Sequence, residues 1–243
     1  MFNKILVYPL FNLLVLIYAL IPGHDFGIAI IILTILIRIL LWPLVNKQLY
    51  SQRALQQLAP EVAKIKIKAK GDRQLESKML MELYKERKIN PFSSLGVALI
   101  QLPLLIALFI VLRDIVKPGE IAAITYGPIR QLPIIKDIIN SNLTFNTQFL
   151  GILDLAKPSV IIGVLAGIAQ YFQTKQLTPN TKSNDPQAKT MAATIYIFPA
   201  LTVLIALSLP AALALYWAAT SALAIFQQYL VLKKDVEVME KEA

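Results

Sequence analysis

Cysteine is absent from this chain, histidine occurs once, and charged residues make up only 16% of it. Without a thiol, disulfides, thiolate nucleophiles and thiolate metal sites are excluded. The one histidine, His24, stands in Pro22-Gly23-His24-Asp25, a turn signal, and a solitary turn imidazole makes no metal or catalytic site. Catalytic triads, phosphate-binding loops and metal-ligand spacings are also missing, so neither an enzyme nor a cofactor-binding protein is expected. The scarcity of charge is itself informative. Hydrophobic residues reach 56% of 243 and mean hydropathy is +0.61, too little charge to cover a soluble domain. Ten-residue alternating segments, the mark of a membrane barrel, do not occur. The class expected is all-α and polytopic, a membrane protein with several spanning helices.

Residues 1–22 are apolar but interrupted by Pro9 and Asn12, and lack the small-residue cleavage pattern of a signal peptide. Two readings stand: a helix lying in the membrane interface, or a sixth span favoured by Lys4. The first clear span, TM1, falls in 23–45, with Trp42 as an interfacial anchor and Pro43 near its end. Residues 46–90 then carry eleven Lys/Arg against five acids, which the positive-inside rule assigns to the cytoplasm. Leu55, Leu58, Val62, Ile65 and Ala69 keep three-four spacing, as do Leu75, Met79 and Leu83. Gly71-Asp72 separates the two stripes as helix stop and N-cap. A hairpin of helices at roughly 47–70 and 72–88 follows, with Pro60 bending the first or marking its start, and Asn90-Pro91 ending the second.

Further spans are expected at 91–113 (TM2), 157–174 (TM3), 191–209 (TM4) and 210–232 (TM5). Between them lie an extracytoplasmic loop at 114–156 and a polar cytoplasmic loop at 175–190, with a cytoplasmic tail at 233–243. This topology puts seventeen of the 24 Lys/Arg inside and six outside. The remaining one is Arg38.

Arg38 sits well inside TM1, where a guanidinium costs roughly 2.5–3.5 kcal/mol and does not deprotonate to escape. No Asp or Glu stands in any other expected span, so an ion pair within the membrane is not expected and a hydrated cavity is. The alternative has Arg38 snorkel to the near interface, ~10 Å along the helix. Thr34, one turn earlier, and Gln101, Gln170, Gln173, Thr202 and Ser221 are further polar residues in spans, each alone a packing contact and together the wall of a wet groove. Gly163 and Gly167 form GxxxG, which serves close packing inside a monomer or, less simply, a dimer face. The basic hairpin is solvated and orienting, or touches anionic lipid, or docks a large partner.

Three segments carry a family resemblance: GIAIIILTILIRILLWPLVNKQLYSQRALQQLAPEV, MELYKERKINPFSSLGVALIQLPLLIALF and FPALTVLIALSLPAALALYWAATSALAIFQQYLV. In this order they resemble the conserved region of YidC-type (Oxa-type) membrane protein insertases from about Tyr8 to Leu232. The resemblance implies a five-helix core in the bacterial inner (plasma) membrane, enclosing a hydrophilic groove open to cytoplasm and lipid. It places Arg38 in that groove, with Trp217 the groove aromatic, Gln170 a polar wall residue and 1–22 an amphipathic helix on the outer face; Thr34 and Gln101, from the polar residues of the spans, complete the expected substrate groove. It implies nascent membrane proteins as substrates. The ribosome or Sec translocon would be met through the hairpin cations Lys64, Lys66, Lys68, Arg73, Lys85 and Arg87. Neither cofactor nor metal is implied, and a monomer suffices. Two departures are visible. Ser94-Leu95-Gly96-Val97 replaces a Gly-Cys-Pro-like element, and the tail, with three Lys against four acids, is no basic extension. The rival reading is a small-anion or lipid transporter using the groove arginine, against which stand the lack of inverted repeats and of a coupling-ion carboxylate.

Overall fold

The computed structural model describes residues 1–90, 95–114, 120–141, 143–177 and 186–242. The Lys117-Pro118-Gly119 turn, Ser94 and residues 178–185 lie outside them. The described residues are mostly helical and fall into two compact units, Met1–Leu40 with Leu102–Phe226, and Leu41–Gln101 with Gln227–Ala243.

In the first unit a π-helical stretch, Asn3–Val7, leads into α1 (Tyr8–Leu20). Pro9 opens α1 rather than breaking it, because a first-turn proline lacks only an N–H that has no helical acceptor. Asn12 is 2% exposed and makes three hydrogen bonds. Its Nδ2 donates to Tyr8 O and Ile124 O, both at 2.8 Å, and its Oδ1 accepts from Tyr126 N at 2.6 Å. These last two are end groups of α6 (Glu120–Ile124) and α7 (Gly127–Arg130), which have no partner within their own helices. The apparent helix breaker is therefore a clamp. With α8 (Pro133–Asn140), whose Ile135 and Ile138 are buried, these short helices organise a stretch that reads as loop in the sequence.

That stretch also contains, alone among the described residues, a departure from an all-α fold, an antiparallel ribbon of β1 (Gln148–Phe149) and β2 (Leu153–Asp154). It closes through Leu150 and Gly151, both at positive φ. The ribbon docks on the start of α2 (Phe26–Gln57). Asp25 accepts from Ile28 N with one carboxylate oxygen, capping α2, and from Leu150 N with the other. Gly27 is required by this approach, since a Cβ there would lie 2.1 Å from Phe149 Cδ2. At the ribbon base, Asp154 accepts from Thr147 Oγ1 at 2.7 Å and Ala156 N at 3.0 Å, and pairs with Lys157 at 3.3 Å.

The Thr147 hydroxyl above all holds the Asp154 carboxyl below the ordinary aspartate range; burial opposes it, and the Ala156 amide and Lys157 add smaller contributions in the same direction as Thr147. A depressed folded pKa adds stability above the unfolded pKa of about 4, and that stability is lost as pH falls through the folded value. Acidification in that window is expected to lower the protection of the Leu155 and Ala156 amides relative to their intrinsic exchange rates, and Asp154→Asn to flatten the dependence.

α9 (Val160–Leu177) and α10 (Pro186–Ala206) pack antiparallel. Gly163 faces Ala206, and Gly167 faces Val203 and the Pro199 carbonyl. The GxxxG pair is thus used within the chain. α10 turns tightly through 207–210 into α11 (Ala211–Glu242), whose first amides, Ala211 N and Ala212 N, donate to Lys157 O and Leu155 O.

In the second unit α2 runs on through Pro43 to Gln57, so the helix does not end where the apolar run ends. The break comes at Leu58, with Pro60 in the first turn of α3 (Ala59–Ala69). α3 packs on α4 (Arg73–Glu86) through a turn with Lys70 and Gly71 at positive φ. Asp72 Oδ1 caps α4, accepting from Gln74 N at 2.9 Å and Leu75 N at 3.1 Å. Asp72→Ala is expected to weaken the first turn of α4 by ~1 kcal/mol and Asp72→Asn by far less, read from amide exchange at Gln74 and Leu75. α4 ends before Asn90-Pro91. Lys88 takes a left-handed conformation and Ile89 N reaches back to Tyr84 O, a Schellman closure that stops the helix without proline. Leu58, Ala69 and Leu83 of the expected stripes are buried, whereas Leu75 is exposed. α5 (Leu95–Asp114) begins in this unit and carries Pro103.

Candidate polar site between α2, α9 and α11

Both faces of the first unit run opposite to a soluble protein. Asn12, Thr34, Thr202 and Ser221 are buried, while Leu40 is 78% exposed, Ile161 68% and Leu204 63%. Such outward apolar faces would aggregate in water and are what lipid solvates. Length and composition agree with this: Asn3–Leu20 and Phe26–Gln57 are long and apolar enough to cross a membrane, and Gln101–Arg113 and Ile195–Ala206 are shorter apolar helices.

Arg38 lies on α2, with its Nη2 donating to the backbone carbonyl of Thr220 on α11 at 2.9 Å. Thr34, a turn earlier, bonds its own helix at Ile30 O (2.7 Å), and so offers no free hydroxyl hydrogen. Gln170 of α9 accepts from both Trp217 Nε1 (3.0 Å) and Ser221 Oγ (3.1 Å). The indole N–H only donates, so the amide oxygen must face it, which puts the two amide N–H groups on the opposite side of Gln170. One turn of α11, Trp217 to Ser221, therefore receives both the α2 guanidinium and the α9 amide. Thr220 belongs to the same turn, and its buried Oγ1 has no hydrogen-bond partner among the described residues.

The structure thus joins Arg38 to α11 and Gln170 to Trp217 and Ser221. Thr220 escapes sequence reasoning, although its place three residues after Trp217 and beside Ser221 puts it on the same face. Gln101 lies in the second unit, half-buried and already engaged. That unit has its own buried amide: Gln227 Nε2 donates to Asn46 Oδ1 (2.7 Å) and Trp42 O (3.2 Å).

The hairpin cations are not equivalent. Lys64, Lys68, Arg73 and Lys85 are exposed and Lys66 is half-buried and engaged. Arg87 pairs with Glu61 at 2.9 Å across α3 and α4. An exposed pair of this kind is worth little energetically, about 0–1 kcal/mol, but it occupies the guanidinium. No cluster of metal-binding side chains occurs among the described residues. Two hollows are lined largely by apolar side chains. One of about 280 Å³ lies beside Phe26, Phe109, Arg113 and Leu213, the other, of about 420 Å³, lies along α9 and α10, and neither takes in Arg38.

A polar site inside an apolar-faced helical unit suits recognition of polar groups, not bond-making chemistry. The model of one protein family, described as 60Kd inner membrane protein, matches residues 16–238. The chain is similar to the membrane protein insertase YidC of Fusobacterium nucleatum, at 36% identity over 212 residues covering 86% of this chain and 87% of the relative. It is similar to the membrane protein insertase MisCA of Bacillus subtilis, at 32% over 239 residues covering 97% and 80%. To the YidC of Clostridium tetani it is 32% identical over 214 residues, covering 88% and 84%. These relatives are named as insertases, not as enzymes. The chain belongs to the 60Kd inner membrane protein family, that of the YidC-type (Oxa-type) insertases.

Proposed function

We propose that this chain is a membrane protein insertase of the bacterial inner membrane, working through a positively charged hydrophilic groove. The observation that carries the reading is the turn of α11 from Trp217 to Ser221, which accepts from the Arg38 guanidinium and donates to the Gln170 amide oxygen, a polar wall inside an apolar-faced unit. Backbone carbonyls and carboxylates are acceptors, and both are abundant in the short polar tail that a single-span protein must carry across the bilayer. Leaving water costs each unsatisfied peptide group several kcal/mol in hydrocarbon, and groove donors reduce that cost. The free energy for insertion comes from the substrate's own apolar segment entering lipid, at about 25 cal/mol per Å². Nucleotide hydrolysis has no role in this scheme.

The proposed topology places five spans in the membrane, with 46–90 cytoplasmic. Lys64, Lys68, Arg73 and Lys85, exposed on α3 and α4, are the proposed contacts for a ribosome, a Sec translocon or anionic lipid. Arg87 serves the hairpin itself. Reconstitution tests the whole reading. Proteoliposomes containing the chain are expected to protect a short single-span protein from added protease well above empty liposomes; equal protection would overturn it.

A further inference from the structure

The hollow of about 420 Å³ between α9 and α10 has no part in the polar site. Its origin is in the sequence: Gly163 and Gly167 thin one face of α9, and α10 closes on that face with Pro199 and Val203. What remains is a cleft lined by Val164, Gly167, Ile168, Phe172, Ala200 and Val203, open on the exposed side. From Val164 to Phe172 it runs eight residues, or ~12 Å. One leaflet of hydrocarbon is ~15 Å deep, so the cleft follows most of a leaflet.

Its end is chemically different from its length. Tyr171 packs against Phe172 (5.5 Å between centroids) and against Tyr196 of α10 (6.0 Å). The Lys175 ammonium stands 5.5 Å from the Tyr171 ring centroid, a cation–π contact that holds the charge at the cleft mouth. A cation and two phenols at the end of an apolar channel match an amphiphile with an anionic head. A helix does not fit the space, since a helix with its side chains, ~10 Å wide and ~12 Å long, displaces roughly 900 Å³. An acyl chain does.

We infer that the α9–α10 cleft binds one acyl chain of an anionic phospholipid, with its phosphate at Lys175 and the Tyr171–Tyr196 pair. The inference rests on α9 and α10 crossing the bilayer, as proposed above, and not on the insertion activity. It would tie lipid composition to the packing of the two helices that meet there.

The test uses the full chain in nanodiscs of phosphatidylcholine, doped with either phosphatidylglycerol or phosphatidylcholine bearing a diazirine in the acyl chain. Peptides of α9 and α10 are expected to take up the anionic probe selectively. Lys175→Gln should lower that labelling about fivefold, the equivalent of the ~1 kcal/mol a lysine contributes to anionic lipid, and Lys175→Arg should keep it. Gly167→Leu fills the cleft but also strikes α10, so Ala200→Phe, which fills it from the exposed side, is the control for folding and should reduce labelling as well. Equal labelling by both probes, insensitive to Lys175 and Ala200, would identify ordinary solvating lipid and overturn the site. Preferential labelling by a substrate helix would overturn it too. Lost lipid selectivity with insertion intact counts against this site alone, and lost insertion with selectivity intact counts against the insertase reading alone.

Discussion

Arg38→Ala is expected to lower insertion of a short single-span substrate roughly tenfold when its N-terminal tail is acidic, and less than about twofold when the tail is neutral. By Coulomb's law, two unit charges 4 Å apart at an effective dielectric of 20 interact by ~4 kcal/mol. Hydration of both groups in a wet groove takes back much of that, leaving roughly the 1–2 kcal/mol that corresponds to about five- to thirtyfold. Arg38 has a structural bond as well, its donation to Thr220 O, and losing it affects every substrate alike. The ratio between acidic and neutral tails removes that common effect. Arg38→Lys separates charge from shape. If charge is what matters, lysine keeps most of the acidic-tail preference; if the fork that spans Thr220 and a substrate acceptor matters, lysine behaves like alanine. A uniform loss across tails would make Arg38 a structural residue.

The second large effect lies far from the groove. Asn12→Leu is expected to destabilise the first unit by about 1–3 kcal/mol, because it removes two part-buried hydrogen bonds, to the Ile124 carbonyl and from the Tyr126 amide, at ~0.5–1.5 kcal/mol each. In a chain of this length that corresponds to a fall in apparent Tm of roughly 2–12 °C in detergent. Proteolysis between Ile124 and Arg130 should accelerate first, since Asn12 is what ties the junction of α6 and α7 to α1. Asn12→Asp keeps one acceptor, loses both donations and buries a charge, so it should be no better than leucine. An unchanged melting temperature in Asn12→Leu would show that α6 and α7 are held by packing alone.

Asn12 also shows where sequence reading stops. Read locally, a polar residue after Pro9 interrupts an apolar run, and only the partners at Ile124 and Tyr126, over a hundred residues away, reveal it as a clamp. The same holds for Gln170, Trp217 and Ser221: each is visible as a polar residue in a span, but nothing in the sequence says that one amide oxygen takes both donors. Arg38 was legible because its cost in an apolar helix is a local property. The GxxxG spacing was legible as close packing, and its partner helix was not. The ribbon at 148–154 was missed because two-residue strands carry no periodicity. α2 passes through Pro43 because the residues after it, though charged, are good helix formers, so composition changes where the backbone does not. α4 stops early for the converse reason: Lys88 adopts a left-handed conformation that no propensity scale assigns to lysine.

Directly decisive for the groove is a thiol cross-link, which this cysteine-free chain allows without background. Single cysteines at Trp217, on the polar turn of α11, and at Ile161, on the exposed apolar face of α9, are each paired with a cysteine in the polar tail of a ribosome-stalled substrate. A tail that crosses through the groove cross-links from position 217 and not from 161, and the yield from 217 falls when Arg38→Ala is added. Equal yields from the two positions, or a yield from 161 alone, would mean that the tail crosses through lipid and that the polar turn of α11 is not its path.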